Sequence, residues 1–278
     1  MTNKKEKISW ALYDFANSSF PTIVTTFLFS TYFTQVVAPS PEKGTALWGT
    51  ATGIAGLIIA LTSPFVGSIA DQTGRRKPWL AFFTILCIVS TALMWFVEPY
   101  EDFILFALSL TVIGTIALEM GHVFYNTMLA DLVPKNEIGK LSGQAWGLGY
   151  FGGLICLFLA LGIFIDPPFK LFELDHEEAE PVRASMILTA IWFALFSWPI
   201  FLYTQDRNKT GVNIFVAISY ARESIRNTFK NLKNYSNIFI FLVSRMVYID
   251  GDNTMFAFGG IYAAGTFGME FSDILLFG

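Results

Sequence analysis

The sequence predicts an all-α membrane protein, and three observations carry that prediction. Apolar residues make up 54% of the chain and charged ones only 14%, against about 25% in soluble domains. The apolar residues gather into seven runs long enough to cross a hydrocarbon core of about 30 Å as helices. Cations fall almost wholly in alternate connections between those runs, the pattern by which a multi-pass chain sets its orientation. Strands would leave backbone groups unsatisfied in lipid, so helices are the expected form of every span.

The first run covers residues 10–37. It follows Lys4, Lys5 and Lys7 and is too long, and too polar at its start, for the apolar core of a cleavable signal. Pro21 frees a backbone carbonyl within it and predicts a kink. Residues 45–69, 79–97, 103–127, 142–165 and 184–204 give five further spans. Between Thr210 and Asn234 the period changes. Ile214, Ile218, Ala221, Ile225, Phe229 and Leu232 recur at three- and four-residue steps, with Arg222, Arg226, Lys230 and Lys233 between them. That is an amphipathic helix suited to the cytoplasmic membrane surface, although a calmodulin-type target helix has the same pattern. A seventh span follows at 240–268, and an eighth apolar run begins near Ser272 and stops at Gly278.

Orientation follows from the loops. With the N-terminus in the cytoplasm, that side holds Lys4, Lys5, Lys7, Arg75, Arg76, Lys77, Lys135, Lys140, Arg207, Lys209 and the four linker cations; the other holds Lys43, Lys170 and Arg183. The acidic run from Asp175 to Glu180 then lies outside, as a solvated loop. Cys87 and Cys156 sit inside apolar spans, which argues against a disulfide framework or a zinc site. There is no G-x-x-x-x-G-K-[S/T] phosphate loop. No cofactor, metal, catalytic group or nucleic-acid partner is expected; the expected contacts are lipid and a small solute.

The most specific segment is Gly67-Ser68-Ile69-Ala70-Asp71-Gln72-Thr73-Gly74-Arg75-Arg76-Lys77-Pro78, between the second and third spans. It resembles the loop signature G-x-x-x-D-x-x-G-R-R/K of the major facilitator superfamily. Tyr13-Asp14-Phe15-Ala16-Asn17-Ser18, Phe124-Tyr125-Asn126-x-x-Leu129-x-Asp131 and Gly149-Tyr150-x-Gly152-Gly153 are together similar to one branch of it, the autophagy-related vacuolar amino-acid effluxers and their bacterial relatives. The resemblance implies a major facilitator fold. Residues 1–206 would form a six-helix N-terminal bundle, 207–239 a cytoplasmic amphipathic linker, and 240–278 the start of a C-terminal bundle whose remainder is missing. Facilitator halves are parallel repeats, and Asp14-Phe15-Ala16-Asn17-Ser18-Ser19-Phe20 aligns without gaps on Asp250-Gly251-Asp252-Asn253-Thr254-Met255-Phe256.

Ionisable groups inside lipid are costly unless they face a cavity or a partner. Asp14 and Asn17, with Asp250 and Asn253 in the repeat, are therefore candidates for a substrate or proton pathway; an acid at the interface is the other role open to Asp14. Glu119, His122 and Asn126 follow i, i+3, i+7 spacing and share one helix face. This suits a proton relay, and equally a hydrogen-bonded polar cluster, and Glu119 and His122 have no counterpart in the family pattern. The resemblance implies a cytoplasmic latch built on Gly67, Asp71, Gly74, Arg75 and Arg76, with Asp71 and Arg75 engaging Asp131. Gly147-Leu148-Gly149-Tyr150-Phe151-Gly152 satisfies the dinucleotide pattern G-x-G-x-x-G, but it lies inside a span with no preceding strand. Gly143 with Gly147, and Gly149 with Gly153, read instead as small-residue steps for close helix packing.

The expected activity is secondary transport of a small solute by alternating access, in the cell's inner membrane. An amino acid or similar zwitterion, moved outward with protons, is what the resemblance implies. A seven-span receptor and a membrane-embedded enzyme are the rival classes. The retinal form of the first lacks a lysine in the seventh span, since none follows Lys233. The second lacks a Ser/His/Asp or metal-ligand constellation.

Overall fold

The computed structural model describes residues 4–168, 172–208, 210, 212–230, 236–270 and 273–274. Lys170, Lys209, Leu232, Lys233 and nearly all of the run from Ser272 to Gly278 lie outside the described residues. Those described form helices and no strand. We number them α1 (residues 4–37), α2 (Pro41–Thr73), α3 (Lys77–Leu93), α4 (Ile104–Leu132), α5 (Ile138–Ala160), α6 (Glu180–Tyr203), α7 (Ile214–Lys230) and α8 (Ser236–Phe267). Five candidate spans, Pro41–Gln72, Lys77–Phe96, Glu101–Leu132, Ile138–Ile165 and Glu180–Tyr203, are long and apolar enough to cross a membrane. α1 and α8 are as long but more polar or interrupted: π-helical turns break α1, and Arg245, Asp250 and Asp252 lie within α8.

The break in α1 follows from Pro21, which has no N–H to give its preceding turn. Lys4–Asn17 is α-helical, and a π-helical turn runs over Pro21–Phe27. A second π-helical turn covers Phe33–Val37. Hydroxyls restore bonding along this stretch. Ser18 donates to the Asp14 carbonyl (2.8 Å), Thr22 to Ser18 (2.8 Å) and Thr25 to Pro21 (2.9 Å). Each of these three hydroxyls is thereby satisfied on its own helix, as lipid demands. π-turns inside α-helices often mark functional segments, and this one lies just beyond Asp14.

The packing of α1 to α6 has an internal symmetry. α1 packs on α5 and α6, α4 packs on α2 and α3, and α3 packs on α6. Exchanging the first three helices for the second three maps α1–α5 onto α4–α2, α1–α6 onto α4–α3 and α3–α6 onto itself, the relation expected of nested three-helix repeats. α5 meets α1 through glycine. A Cβ on Gly149 would lie 2.7 Å from the Ser18 hydroxyl, one on Gly153 2.5 Å from that of Thr22, and one on Gly152 would strike the Phe15 carbonyl. Gly143 and Gly147 face open space, so the second small-residue step forms the seam and the first does not.

Two cations fasten α3 to α6 at opposite ends. Lys77, at the start of α3, donates to the carbonyls of Phe201 (3.1 Å) and Thr204 where α6 ends. Arg183, in the first turn of α6, donates through Nε to the Trp95 carbonyl (2.6 Å) beyond the end of α3 and lies 5.0 Å from the Trp95 ring. Both satisfy terminal carbonyls that a helix leaves unpaired, with the favourable sign for its dipole. Arg183 is only 7% exposed. Arg183→Met should therefore lower stability by about 2 kcal/mol, as for other hydrogen bonds to charged groups. An unchanged melting temperature in detergent would remove this fastening from the account.

Candidate functional site

An aromatic stack joins α1 to α4 beneath Asp14. Trp10 lies flat on Tyr125, with ring centroids 4.4 Å apart and planes 6° apart. Each bonds the other's backbone: Trp10 Nε1 donates to the Tyr125 carbonyl (3.1 Å), and the Tyr125 hydroxyl donates to the Trp10 carbonyl (3.2 Å). Tyr13 stacks on the other side of Tyr125 at 5.0 Å, and its hydroxyl lies 2.8 Å from that of Thr84. Trp10 and Tyr13 are 1% exposed. These rings hold one face of α1 in fixed register with α4.

On that register four polar groups converge. Asp14 is half-buried, and Asn17 Nδ2 donates to its carboxylate at 3.4 Å. Asp14 also interacts electrostatically with His122 across the helix pair. His122 Nδ1 lies 3.9 Å from Glu119 Oε2. Asn126 is exposed on the same helix face. Of the i, i+3, i+7 face, His122 thus lies beside Asp14, while Glu119 and Asn126 are exposed.

The repeat residues stand apart from this cluster. Asp250 and Asn253 are exposed on α8. α8 buries Gly260, Ile261 and Ala263; a Cβ on Gly260 would strike the Thr26 carbonyl and lie 3.1 Å from the Thr31 hydroxyl. Further along, Gly265 lies opposite Gln35. The two helices therefore run parallel and touch through their C-terminal parts. Asp14 precedes Thr26 by 12 residues and Asp250 precedes Gly260 by 10, roughly 15–18 Å of helix in each case. The two acids thus sit at similar depth, on the side away from the contact.

The loop group differs from expectation in two respects, the arginine that meets Asp131 and the part played by Asp71. The arginine that meets Asp131 is Arg76, at 2.6 Å, while Arg75 is exposed. Gly74 causes this: it ends α2 at φ 77°, a left-handed conformation that suits glycine, and the backbone turn carries Arg76 inward. Arg76 is 3% exposed and also donates to the Thr127 carbonyl (2.5 Å); its N–H donates to Asp206 (2.9 Å). Arg207 binds the other oxygen of Asp131. Asp71 is exposed and acts on Arg76 and Arg207 only through its field. Gly67 faces Val123 across ordinary van der Waals distance. A cavity of about 280 Å³ lies against this group, lined by Glu6, Arg76, Asp131, Gln205, Asp206 and Arg207. Burial lowers the Arg76 pKa from its ordinary value and the hydrogen bond to Asp131 raises that of Arg207, yet both remain cations at any physiological pH. Asp206 and Arg207 were not marked by the loop motif; their signal was their place directly after the sixth span.

The sequence pattern of the family described as "Vacuole effluxer Atg22 like" matches residues 44–278. The chain belongs to that family. It is 29% identical over 275 residues to the uncharacterized MFS-type transporter YxiO of Bacillus subtilis, covering 98% of this chain and 63% of that one. It is 21% identical over 271 residues to an uncharacterized protein of Aquifex aeolicus, covering 97% of this chain and 60% of that one. Over 199 residues it is 29% identical to the multidrug resistance protein MdtG of Dickeya zeae, covering 66% of this chain and 47% of that protein. The chain spans about three-fifths of the length of the first two. It is thus a multi-pass membrane protein of the major facilitator type, as the loop signature and the effluxer-like motifs implied.

Proposed function

We propose that the chain supplies the solute-binding face of a secondary active transporter working by alternating access. The observation that carries this is the convergence of Asp14, Asn17, His122 and Glu119 between α1 and α4, with Asp250 and Asn253 at similar depth on α8. Two carboxylates and a histidine inside a membrane suit a cationic group together with a coupling proton. An amino acid or similar zwitterion fits, its ammonium at Asp14. Outward, proton-coupled movement agrees with the effluxer family. In this reading the N-terminus is cytoplasmic, the membrane is the inner one, and residues 1–206, 207–239 and 240–278 divide into bundle, linker and second-bundle start. A receptor or enzyme reading draws on no comparable constellation.

The test is Asp14→Asn in the full-length protein, reconstituted in liposomes and assayed by counterflow of a panel of labelled amino acids. The change preserves shape and removes charge. It should cut flux about tenfold to a hundredfold, the loss of one charged hydrogen bond, with expression unchanged. Flux with wild-type rate and wild-type pH dependence would return Asp14 to the interface.

A further inference from the structure

We infer that α7 carries a recognition stripe for anionic phospholipid headgroups on the cytoplasmic leaflet. α7 packs on α2 and buries Ala221, which is 2% exposed. At 100° per residue, Phe215, Arg222 and Arg226 fall within about 40° of one another, some 120° around the helix from Ala221. All three are exposed, and Phe215, at 80%, is the most exposed large apolar side chain among the described residues. Ile218 adjoins the stripe and is exposed as well. Glu223, the acid in the described helix, lies about 60° around the helix from Arg226 and about 100° from Arg222, at the border of the stripe.

The depth of the helix selects the occupant. The chain reaches α7 directly from the latch: the Asn208 carbonyl lies against Gly74, and the Thr210 hydroxyl donates to the Gln72 carbonyl at the end of α2. α7 therefore starts level with the cytoplasmic end of a spanning helix whose Leu57 and Leu61 are more than 60% exposed. At that depth the surroundings are headgroups and the first methylenes. An exposed phenylalanine inserts among the methylenes, and two guanidiniums on its own stripe bind phosphates in forked geometry. Anionic lipid supplies those phosphates with net negative charge, and each arginine near such a surface contributes roughly a fivefold preference. Since Arg207 precedes the helix by only seven residues, lipid held by α7 is linked through a short tether to the Asp131 latch.

The experiment replaces Phe215 by cysteine carrying an environment-sensitive bimane, in the full-length protein in nanodiscs of phosphatidylcholine with or without phosphatidylglycerol. Brominated acyl chains near the headgroup should quench the label, and more strongly when the brominated lipid is phosphatidylglycerol. Arg222→Gln with Arg226→Gln should remove that preference, by about 30-fold in relative lipid affinity. The paired lysine variants should retain most of it, which separates charge recognition from misfolding. A label unquenched by either lipid would overturn the proposal by placing the stripe in water or under protein. Equal quenching by both lipids would overturn it too, leaving apolar insertion without headgroup recognition.

Discussion

Gly152→Ala is expected to lower the apparent melting temperature sharply, with a cost of about 3 kcal/mol, the upper end for overpacking. The added methyl would strike the carbonyl of Phe15, and the α1 backbone behind it has no side-chain freedom with which to retreat. α1 and α5 must then separate. Because Asp14 lies one residue before Phe15, the candidate site moves with them. Gly147→Ala is the control, since nothing lies within 4 Å of the new methyl, and alanine there should be neutral or up to about 1 kcal/mol stabilising. Equal melting temperatures for the two variants would show that the glycine seam does not set the α1–α5 distance.

Asp131→Asn should be the most damaging single change at the loop between α2 and α3 and its partners. One carboxylate holds both Arg76 and Arg207. Its loss strands Arg76, which is buried and keeps the Thr127 carbonyl as its side-chain partner. Removing one member of a buried pair costs 3–5 kcal/mol; Asp131 is 37% exposed, so water recovers part of this and about 2 kcal/mol is expected. In the full-length protein turnover should fall as well. Arg76→Gln should behave similarly, whereas Arg75→Gln should leave thermal stability near wild type. The order reverses if Arg75 is the latch residue, and thermal melts of the three variants decide between them.

How far these features were legible depends on whether lipid or local geometry dictates them. Five of the seven expected spans were legible because a bilayer demands about 20 apolar residues of any crossing helix, whereas α1 is broken by π-helical turns and α8 carries Arg245, Asp250 and Asp252. The shared face of Glu119, His122 and Asn126 was legible too, since helical spacing alone places it. The inward arginine was not. Arg75 and Arg76 are adjacent, and the turn at Gly74 decides which one reaches Asp131. The glycines of α5 show the same division. Their period announces close packing, but the sequence does not say which face meets α1, and Gly152 stood outside both small-residue steps. Lys77 and Arg183 were counted as loop cations. Their partners are carbonyls more than 80 residues away, and carbonyls leave no trace in a sequence.

The way α1 and α8 touch also gives the molecule a lever. Their contact lies at Thr26, Thr31 and Gly260, and Gly260 brings backbone against the α1 backbone with the Thr31 hydroxyl beside it. Such a small contact resists translation but little opposes tilting. Asp250 lies 10 residues away along α8, an arm of roughly 15 Å, so a tilt of about 20° about the contact would swing its carboxylate by roughly 5 Å. Under the proposed function, that would separate a carboxylate touching a group bound at Asp14 from one a layer of water away. A larger side chain at Gly260 would shift the fulcrum, and with it the travel of an acid three turns away.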